Sequence, residues 1–395
     1  MGSKNKDILI VSNYFPPETG AASNRIFSLA EKLSKHQYNV KVISPLPNYP
    51  HGKVLKTYRG KFKVKETFKS IDVTRLFVVA SKSSNKIIRL LSSLSFAITL
   101  FFYILFAKTP NRFIIQCSPL FVGFLAVLAC KLKNKEIILN VSDLWPLAGL
   151  EMGILNDGFY YRILQKMESF IYKNSKKIIG QSNEILSHIK RTANCDDKFL
   201  FLYRNFPQFK RPELVSSSHT SSTRFRIVYA GLIGVAQGIE TICKEVNFPS
   251  QMEFHIYGDG PMTQDLKEYI NNKENIFYHG SLKREELHHI LMTYDATLIP
   301  LKNRIFGSVP SKIFEYAKLG LPIIYFSDGE GANIVEDLNL GVAIREINYQ
   351  LLENQFIKIL NQKEVLPSKK EVLEIAEHHF NLEKQFNDFD RNCLN

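Results

Sequence analysis

Cysteine gives this chain no framework. Its five cysteines, Cys117, Cys130, Cys195, Cys243 and Cys393, are odd in number, scattered and without the short spacing of metal ligands. Neither a disulfide scaffold nor a metal centre is expected, and the thiols point to a reducing compartment. A full Gly-x-Gly-x-x-Gly is missing after the first apolar strand, which excludes a dinucleotide-binding reading there. The opening also lacks the form of a secretory leader, because Asp7 follows a short polar start and the apolar residues behind it belong to the fold. Met1-Gly2-Ser3 resembles the start of a myristoylation signal, but Lys6 stands where Ser or Thr is needed.

Acidic residues are scarce in the first third. Residues 1–140 hold 22 Lys and Arg against 6 Asp and Glu, whereas the rest of the chain holds 29 against 32, so all of the formal net charge of +13 is carried at the front. Such a surface calls for an anionic partner: nucleic acid, phospholipid headgroups or a phosphorylated substrate. The run 90–107 discriminates among them. It has no charged residue and is flanked by Lys82, Lys86 and Arg89 on one side and Lys108 and Arg112 on the other. That is a helix with basic ends, barely long enough to span a bilayer and rich in Ser and Thr. An in-plane or partly inserted membrane-surface helix is favoured over a buried core helix, and both over a span. A second apolar stretch, 120–130, precedes Lys131, Lys133 and Lys135. Nucleic acid ranks below membrane, since the lysines alternate with long apolar side chains and no recognition motif accompanies them.

With 395 residues, two domains or more are expected. Apolar strands at 8–11, 40–43, 74–80, 113–116, 136–141 and 177–180, separated by helical patterns such as 23–34, read as a first α/β domain over 1–206. The Ser- and Thr-rich stretch 207–224 reads as a linker. Strands at 225–231, 253–257, 276–279, 296–300 and 321–326 make a second α/β domain over 225–375, and 376–395 reads as a terminal helix. The His288-His289 and His378-His379 pairs lack metal-like company and read as surface or packing residues.

The most informative segment is Gly307-Ser308-Val309-Pro310-Ser311-Lys312-Ile313-Phe314-Glu315-Tyr316-Ala317-Lys318-Leu319-Gly320-Leu321-Pro322. Pro310 suits a first helical turn, Ser308 or Ser311 can cap it, and Gly320 stops it before an apolar strand. It resembles the donor site of retaining family-4 glycosyltransferases of the GT-B fold, whose motif is Glu, seven residues, Glu. Glu315 matches the second glutamate, which in that family holds the ribose hydroxyls of a nucleoside diphosphate sugar; the first falls on Gly307. The Pro-Ser-Lys-(apolar)-(apolar)-Glu-Tyr form is similar to the branches that build bacterial O-antigen and capsular polysaccharide, fucosamine-transferase-like members among them.

Other pieces carry the same resemblance. Asn13-Tyr14-Phe15-Pro16-Pro17-Glu18-Thr19-Gly20 looks like the family's first Gly-rich loop, with Gly20 at the close approach, although a simple βα turn reads the same way. Tyr229-Ala230-Gly231-Leu232-Ile233-Gly234-Val235-Ala236-Gln237-Gly238 is similar to the turn opening the second domain, where many members carry Arg and Lys at the places of Leu232 and Gln237. The resemblance then requires diphosphate charge from elsewhere, with Arg204, Lys302, Arg304 and Lys312 the candidates. Gly258-Asp259-Gly260-Pro261 resembles a turn near the base, and Glu330 falls in the sugar- and phosphate-facing loop. Asp143, in Val141-Ser142-Asp143-Leu144-Trp145-Pro146, follows a buried strand and is the candidate for acid–base or charge-stabilising work; a helix N-cap is its plainer reading.

The resemblance implies two Rossmann-like domains facing a central cleft, with a C-terminal helix crossing back to the first. It implies transfer of a sugar, an N-acetylated hexosamine by subfamily, from a UDP-type donor to a polyprenyl diphosphate-linked saccharide at the inner face of the cell membrane. No metal is implied, since helix ends and cations stabilise the leaving diphosphate. Asp143 and Glu315 would be the catalytic pair. Gly20, Gly231, Gly234, Gln237, Arg304, Ser308, Ser311, Lys312 and Glu330 would join Glu315 around the donor. Two rivals share the fold class: a UDP-sugar 2-epimerase, and a non-catalytic nucleotide- or saccharide-binding subunit of a polysaccharide assembly complex.

Overall fold

A computed structural model describes residues 6–49, 52–81, 86–213 and 224–395. The chain forms two compact units: Met1–Asn205 together with Gln385–Asn395, and Phe206–Lys384.

The first unit runs β1 (Asp7–Val11), α1 (Ala21–Lys35), β2 (Asn39–Pro45), β3 (Lys63–Phe68), β4 (Ile71–Leu76), α2 (Lys86–Phe106), β5 (Arg112–Gln116), α3 (Leu120–Leu132), β6 (Glu136–Val141), α4 (Leu147–Glu151), α5 (Phe159–Lys173), β7 (Lys177–Gly180), α6 (Asn183–Ala193) and β8 (Leu200–Leu202). Its eight strands lie in the order β3-β4-β2-β1-β5-β6-β7-β8, parallel except for the edge pair β3 and β4. Ile8, Leu9, Ile10 and Val11 are all buried, the uninterrupted apolar reading that a parallel strand covered on both faces requires. Ile26, Leu29, Ala30 and Leu33 of α1 recur at helical spacing and pack with Ile8, Ile10, Phe386 and Phe389.

The second unit runs β9 (Phe225–Ala230), α7 (Ile239–Glu245), β10 (Met252–Tyr257), α8 (Thr263–Ile270), β11 (Ile276–Gly280), α9 (Arg284–Leu291), β12 (Ala296–Pro300), α10 (Ser311–Ala317), β13 (Ile323–Phe326), α11 (Glu330–Asp337), β14 (Gly341–Ile344), α12 (Tyr349–Leu360) and α13 (Lys369–His379). Six parallel strands in the order β11-β10-β9-β12-β13-β14 make a doubly wound sheet. Its order reverses between β9 and β12, so the loops leaving those two strands diverge and open a crevice at their carboxyl ends. In the first unit the reversal falls between β1 and β5.

Several boundaries differ from the sequence reading. The strand expected at 74–80 begins at Ile71 and stops at Leu76, because its partner β2 ends opposite it at Pro45. β3 alternates lysine with half-buried residues and β8 is three residues long, so neither presents an apolar run. The terminal helix is two helices, α13 and α14 (Leu382–Phe389), with the Asn381 side chain accepting from the Lys384 N–H at the second start. Phe380 packs in the core of the second unit, Phe386 and Phe389 in that of the first. Of the expected linker, 214–223 lie outside the described residues, while Phe206 and Phe209 pack on the second core. Met1 to Ser3 and Lys82 also lie outside the described residues. Among the described residues no helix is long and apolar enough to cross a membrane, which removes the spanning reading of 90–107. Phe96, Ala97, Leu100 and Ile104 of α2 are fully buried, so one face of that helix is core.

Candidate functional site

At the reversal point of the second unit three strand ends are tied through their backbones. Gly231 N–H donates to the Tyr257 carbonyl at 2.9 Å, Ile233 N–H to that of Asp259 at 3.0 Å, and Gly258 N–H to that of Gly280 at 2.8 Å. At Gly231 and Gly258 the approach leaves no room for a side chain. A Cβ on Gly258 would sit 1.8 Å from the Gly231 carbonyl oxygen, and one on Gly231 would sit 1.6 Å from Lys312 Nζ; both residues have positive φ, +134° and +154°.

Lys312, the second residue of α10, turns its ammonium inward. Nζ donates to the Ala230 carbonyl at the end of β9, which also accepts from the Tyr316 hydroxyl, and lies 4.5 Å from the centre of the Tyr229 ring. Burial pushes the Lys312 pKa down to about 8, with the Glu315 charge opposing the fall. Glu315, one turn on, is held through a single oxygen. Its Oε1 accepts from Arg284 Nε at 2.8 Å and lies 2.8 Å from His288 Nε2, with a second guanidinium nitrogen of Arg284 also at 2.8 Å. Among the described residues nothing bonds Oε2, and that oxygen is not sealed from solvent. Burial alone would raise the Glu315 pKa, but the hydrogen bond from His288 and the charge of Arg284 outweigh it and hold the carboxyl below its ordinary range. The ring of Phe209 packs 4.3 Å from that of His288.

His288 therefore corrects the sequence reading. It is 4% exposed and serves Glu315. Arg284 and His288 are four residues apart on α9, a spacing that puts them on one face, but nothing in the sequence ties that face to Glu315.

The expected capping of α10 is also corrected. Pro310, with φ −60° and ψ 122°, is itself the N-cap and no side chain caps the helix; Ser311 is the first helical residue and Ser308 is exposed in the preceding turn. Gly320, at φ +79°, does end the segment. Gly307, which occupies the place of the first motif glutamate, is buried at φ +83°, a conformation that opposes any larger residue there.

Gly234 and Gln237 complete the turn after β9. The Gly234 carbonyl accepts from the N–H groups of Gln237 and Gly238, and the buried Oε1 of Gln237 has no partner among the described residues. Arg304 lies against Gly329, where a Cβ would fall 2.1 Å from its Nε, and Glu330 is the buried first residue of α11 beyond it. Lys302 runs along Gly238 and reaches Thr241 Oγ1 at 3.3 Å. Gly231, Lys312 and Glu315 thus share one patch, Gly234 and Gln237 continue it, and Arg304 with Glu330 marks the start of α11. Arg204 belongs to the first unit, its guanidinium 3.5 Å from the Gln181 carbonyl.

In the first unit, Gly20 precedes α1 at φ +146°, 3.5 Å from the Tyr49 ring as a Cβ would measure it. Glu18 holds this loop to the next: its Oε1 accepts from the N–H groups of Asn48 and Tyr49 at 2.7 and 2.9 Å. Asp143 is exposed just past β6 and is not a helix cap, because α4 begins at Leu147 with Pro146 at its N-cap. Burial of its surroundings raises the Asp143 pKa, and Arg25 opposes the rise. Arg25, which sequence reasoning missed, donates to the Ser142 hydroxyl oxygen, which accepts also from Gln116 Nε2 at 2.6 Å. Ser182 caps α6 through the Ile185 N–H. Among the described residues no group of three or more His, Cys, Asp or Glu could hold a metal ion.

Residues 224–362 match the model of the family described as Glycosyl transferases group 1. The probable glycosyltransferase WbjE of Pseudomonas aeruginosa is 24% identical over 221 residues, 52% of this chain and only 54% of that protein. The putative colanic acid biosynthesis glycosyl transferase WcaI of Escherichia coli K12 is 22% identical over 333 residues, 79% of this chain and 81% of that protein. Sucrose-phosphate synthase from Thermosynechococcus elongatus superimposes with a TM-score of 0.71 over 98% of this chain and 97% of its own, at 14% identity. Anabaena HepE, solved with UDP-glucose, does so with 0.64 over 98% of both chains, at 11% identity. Likeness at such identities is of fold: two Rossmann-like α/β domains of the GT-B kind, as the sequence led us to expect.

Proposed function

We propose that this chain is a retaining glycosyltransferase that takes a sugar from a nucleoside diphosphate donor, bound by the second unit, and passes it to a polyprenyl diphosphate-linked saccharide bound by the first, in cell-surface polysaccharide synthesis. The observation that carries the reading is Glu315. One oxygen is saturated by Arg284 and His288, which keep the carboxylate ionised, and the other is open to accept from a pair of ribose hydroxyls. Lys312, one turn before it, meets the donor diphosphate at the end of β9, and Arg304 at the start of α11 supplies a second cation. Positive charge fixed before reaction stabilises the leaving diphosphate as its charge develops, without a metal ion. Asp143, exposed at the carboxyl end of β6 with its pKa raised by the protein around it against the pull of Arg25, is suited to proton exchange or charge stabilisation at the acceptor. The HepE complex with UDP-glucose and the putative role of WcaI in colanic acid biosynthesis favour a UDP donor and a polysaccharide product; an N-acetylated hexosamine is our choice of sugar.

Titration of the purified protein with UDP, GDP, CDP and ADP, with and without EDTA, tests this by calorimetry. EDTA-insensitive binding of one nucleotide, weakened about tenfold or more in Glu315→Ala, is expected from the loss of two charge-assisted hydrogen bonds to ribose. Binding of none, or normal binding by Glu315→Ala, overturns the donor site.

A further inference from the structure

We infer that the outer face of α2, with the residues bordering it, is a docking surface for an anionic lipid bilayer. This rests on the exposure and charge of the first unit alone and stands apart from the reaction proposed above. Opposite the buried Phe96, Ala97, Leu100 and Ile104, the helix exposes Leu91, Ile98, Phe102 and Phe106, with 55%, 47%, 51% and 81% of their surface open to solvent. Steps of seven, four and four residues place them in one stripe along the helix. The rings of Phe102 and Phe106 stack parallel at 6.2 Å, so the last two turns end in an open aromatic pair.

The stripe widens onto the neighbouring hairpin. Phe62, 67% exposed, stacks on Phe77 at 5.3 Å, and the Phe77 carbonyl accepts from Thr99 Oγ1 of α2 at 3.1 Å. On the other side Leu132, 63% exposed, ends α3, the helix packed along α2. An apolar band of this extent, on a surface otherwise charged, is a contact surface rather than a scatter of exposed residues.

Charge identifies what it contacts. No acidic residue occurs between Asp72 and Glu136, a stretch that carries nine Lys and Arg. The cations collect where the aromatic pair ends. Lys133 Nζ donates to the Leu105 carbonyl and Lys135 Nζ to that of Thr109, each at 3.1 Å, while Lys108 is exposed two residues past Phe106. Lys63 lies 4.6 Å over the Tyr103 ring on the hairpin side. Glu136 is neutralised by Arg112 and Lys176, at 3.2 and 3.3 Å. Phenyl and aliphatic groups rimmed by ammonium ions fit the boundary between acyl chains and anionic headgroups, with the helix lying in the plane. A nucleic acid would engage the lysines and leave the open phenyl stripe unused.

Co-sedimentation of the full chain with vesicles of phosphatidylcholine, with and without phosphatidylglycerol, tests the inference. Binding is expected only to the phosphatidylglycerol vesicles and should weaken with salt. Phe102→Ser with Phe106→Ser should lower it at least about tenfold, since two largely exposed phenyl groups lose their burial. Lys133→Gln with Lys135→Gln should lower it about fivefold or more per lysine. All four side chains are exposed or at the rim, so unchanged far-ultraviolet circular dichroism will report an intact fold. Failure to bind phosphatidylglycerol vesicles at low salt overturns the inference, as does equal binding to both vesicles or undiminished binding by the phenylalanine variant. Self-association dissolved by that variant in analytical ultracentrifugation would make the face a contact between copies instead.

Discussion

Replacing Lys312 with methionine separates what its charge does to the fold from what it does for a ligand. The ammonium is enclosed against the end of β9, and burial moves its pKa from 10.5 to about 8. A difference of that size disfavours the charged form in the folded chain by about 3 kcal/mol. The residue is not wholly sealed, so about 2 kcal/mol is a fairer measure of what methionine recovers. Against it stands the lost bond to the Ala230 carbonyl, about 1 kcal/mol, softened because the Tyr316 hydroxyl still donates there. Methionine, near-isosteric with the aliphatic stem, should therefore make the protein about 1 kcal/mol more stable near neutral pH, while weakening nucleoside diphosphate binding about tenfold or more. The sign with pH follows. Because the folded pKa lies below the unfolded one, the native state holds fewer protons between about 8 and 10.5, and this lysine makes wild-type stability rise with pH across that window. The variant lacks that rise, so its advantage should stay constant below about pH 8, vanish near about pH 9 and become a deficit of about 1 kcal/mol toward about pH 10, where only the lost bond remains. Urea unfolding of both proteins across this range reads the difference directly. A methionine variant that is less stable near neutral pH, or a difference that does not change with pH, would refute the reasoning.

Two glycine substitutions should rank in a stated order. Gly231→Ala meets the flexible end of Lys312, which can swing away, so a loss of about 1–3 kcal/mol and of nucleotide binding is expected; Gly258→Ala meets the Gly231 backbone and should cost more than 3 kcal/mol or prevent folding. Equal stabilities by urea unfolding would contradict the packing of the two turns. Gly307→Glu, which rebuilds the spacing Glu, seven residues, Glu, should not raise transferase activity and should cost about 1–2 kcal/mol, because the position has φ +83°; a gain of activity at unchanged stability would show that the turn adapts.

The elements legible from the sequence are those set by neighbours along the chain. Ile8 to Val11 and Ile227 to Ala230 announce buried parallel strands by being apolar throughout, α1 announces its inward stripe by spacing, and Gly320 marks the end of its helix because a left-handed residue is needed there. The segment around Glu315 is legible as a helix for the same reason, entered at Pro310 and closed by Gly320. What the motif could not contain is the company each side chain keeps. Lys312 answers to a carbonyl 82 positions earlier, Arg25 to a hydroxyl 117 positions later, and Glu315 to Arg284 and His288 on another helix. The two sheets decide these pairings, because each brings its strand ends, and the helices that follow them, together whatever their separation in sequence. The outer stripe of α2 divides the same way: its composition was visible at once, but which half of an apolar helix is core and which is open was decided only when α3 and the sheet covered one side. Local pattern encodes conformation and periodicity, whereas burial, charge pairing and the pKa values that follow from them are properties of assembled neighbours.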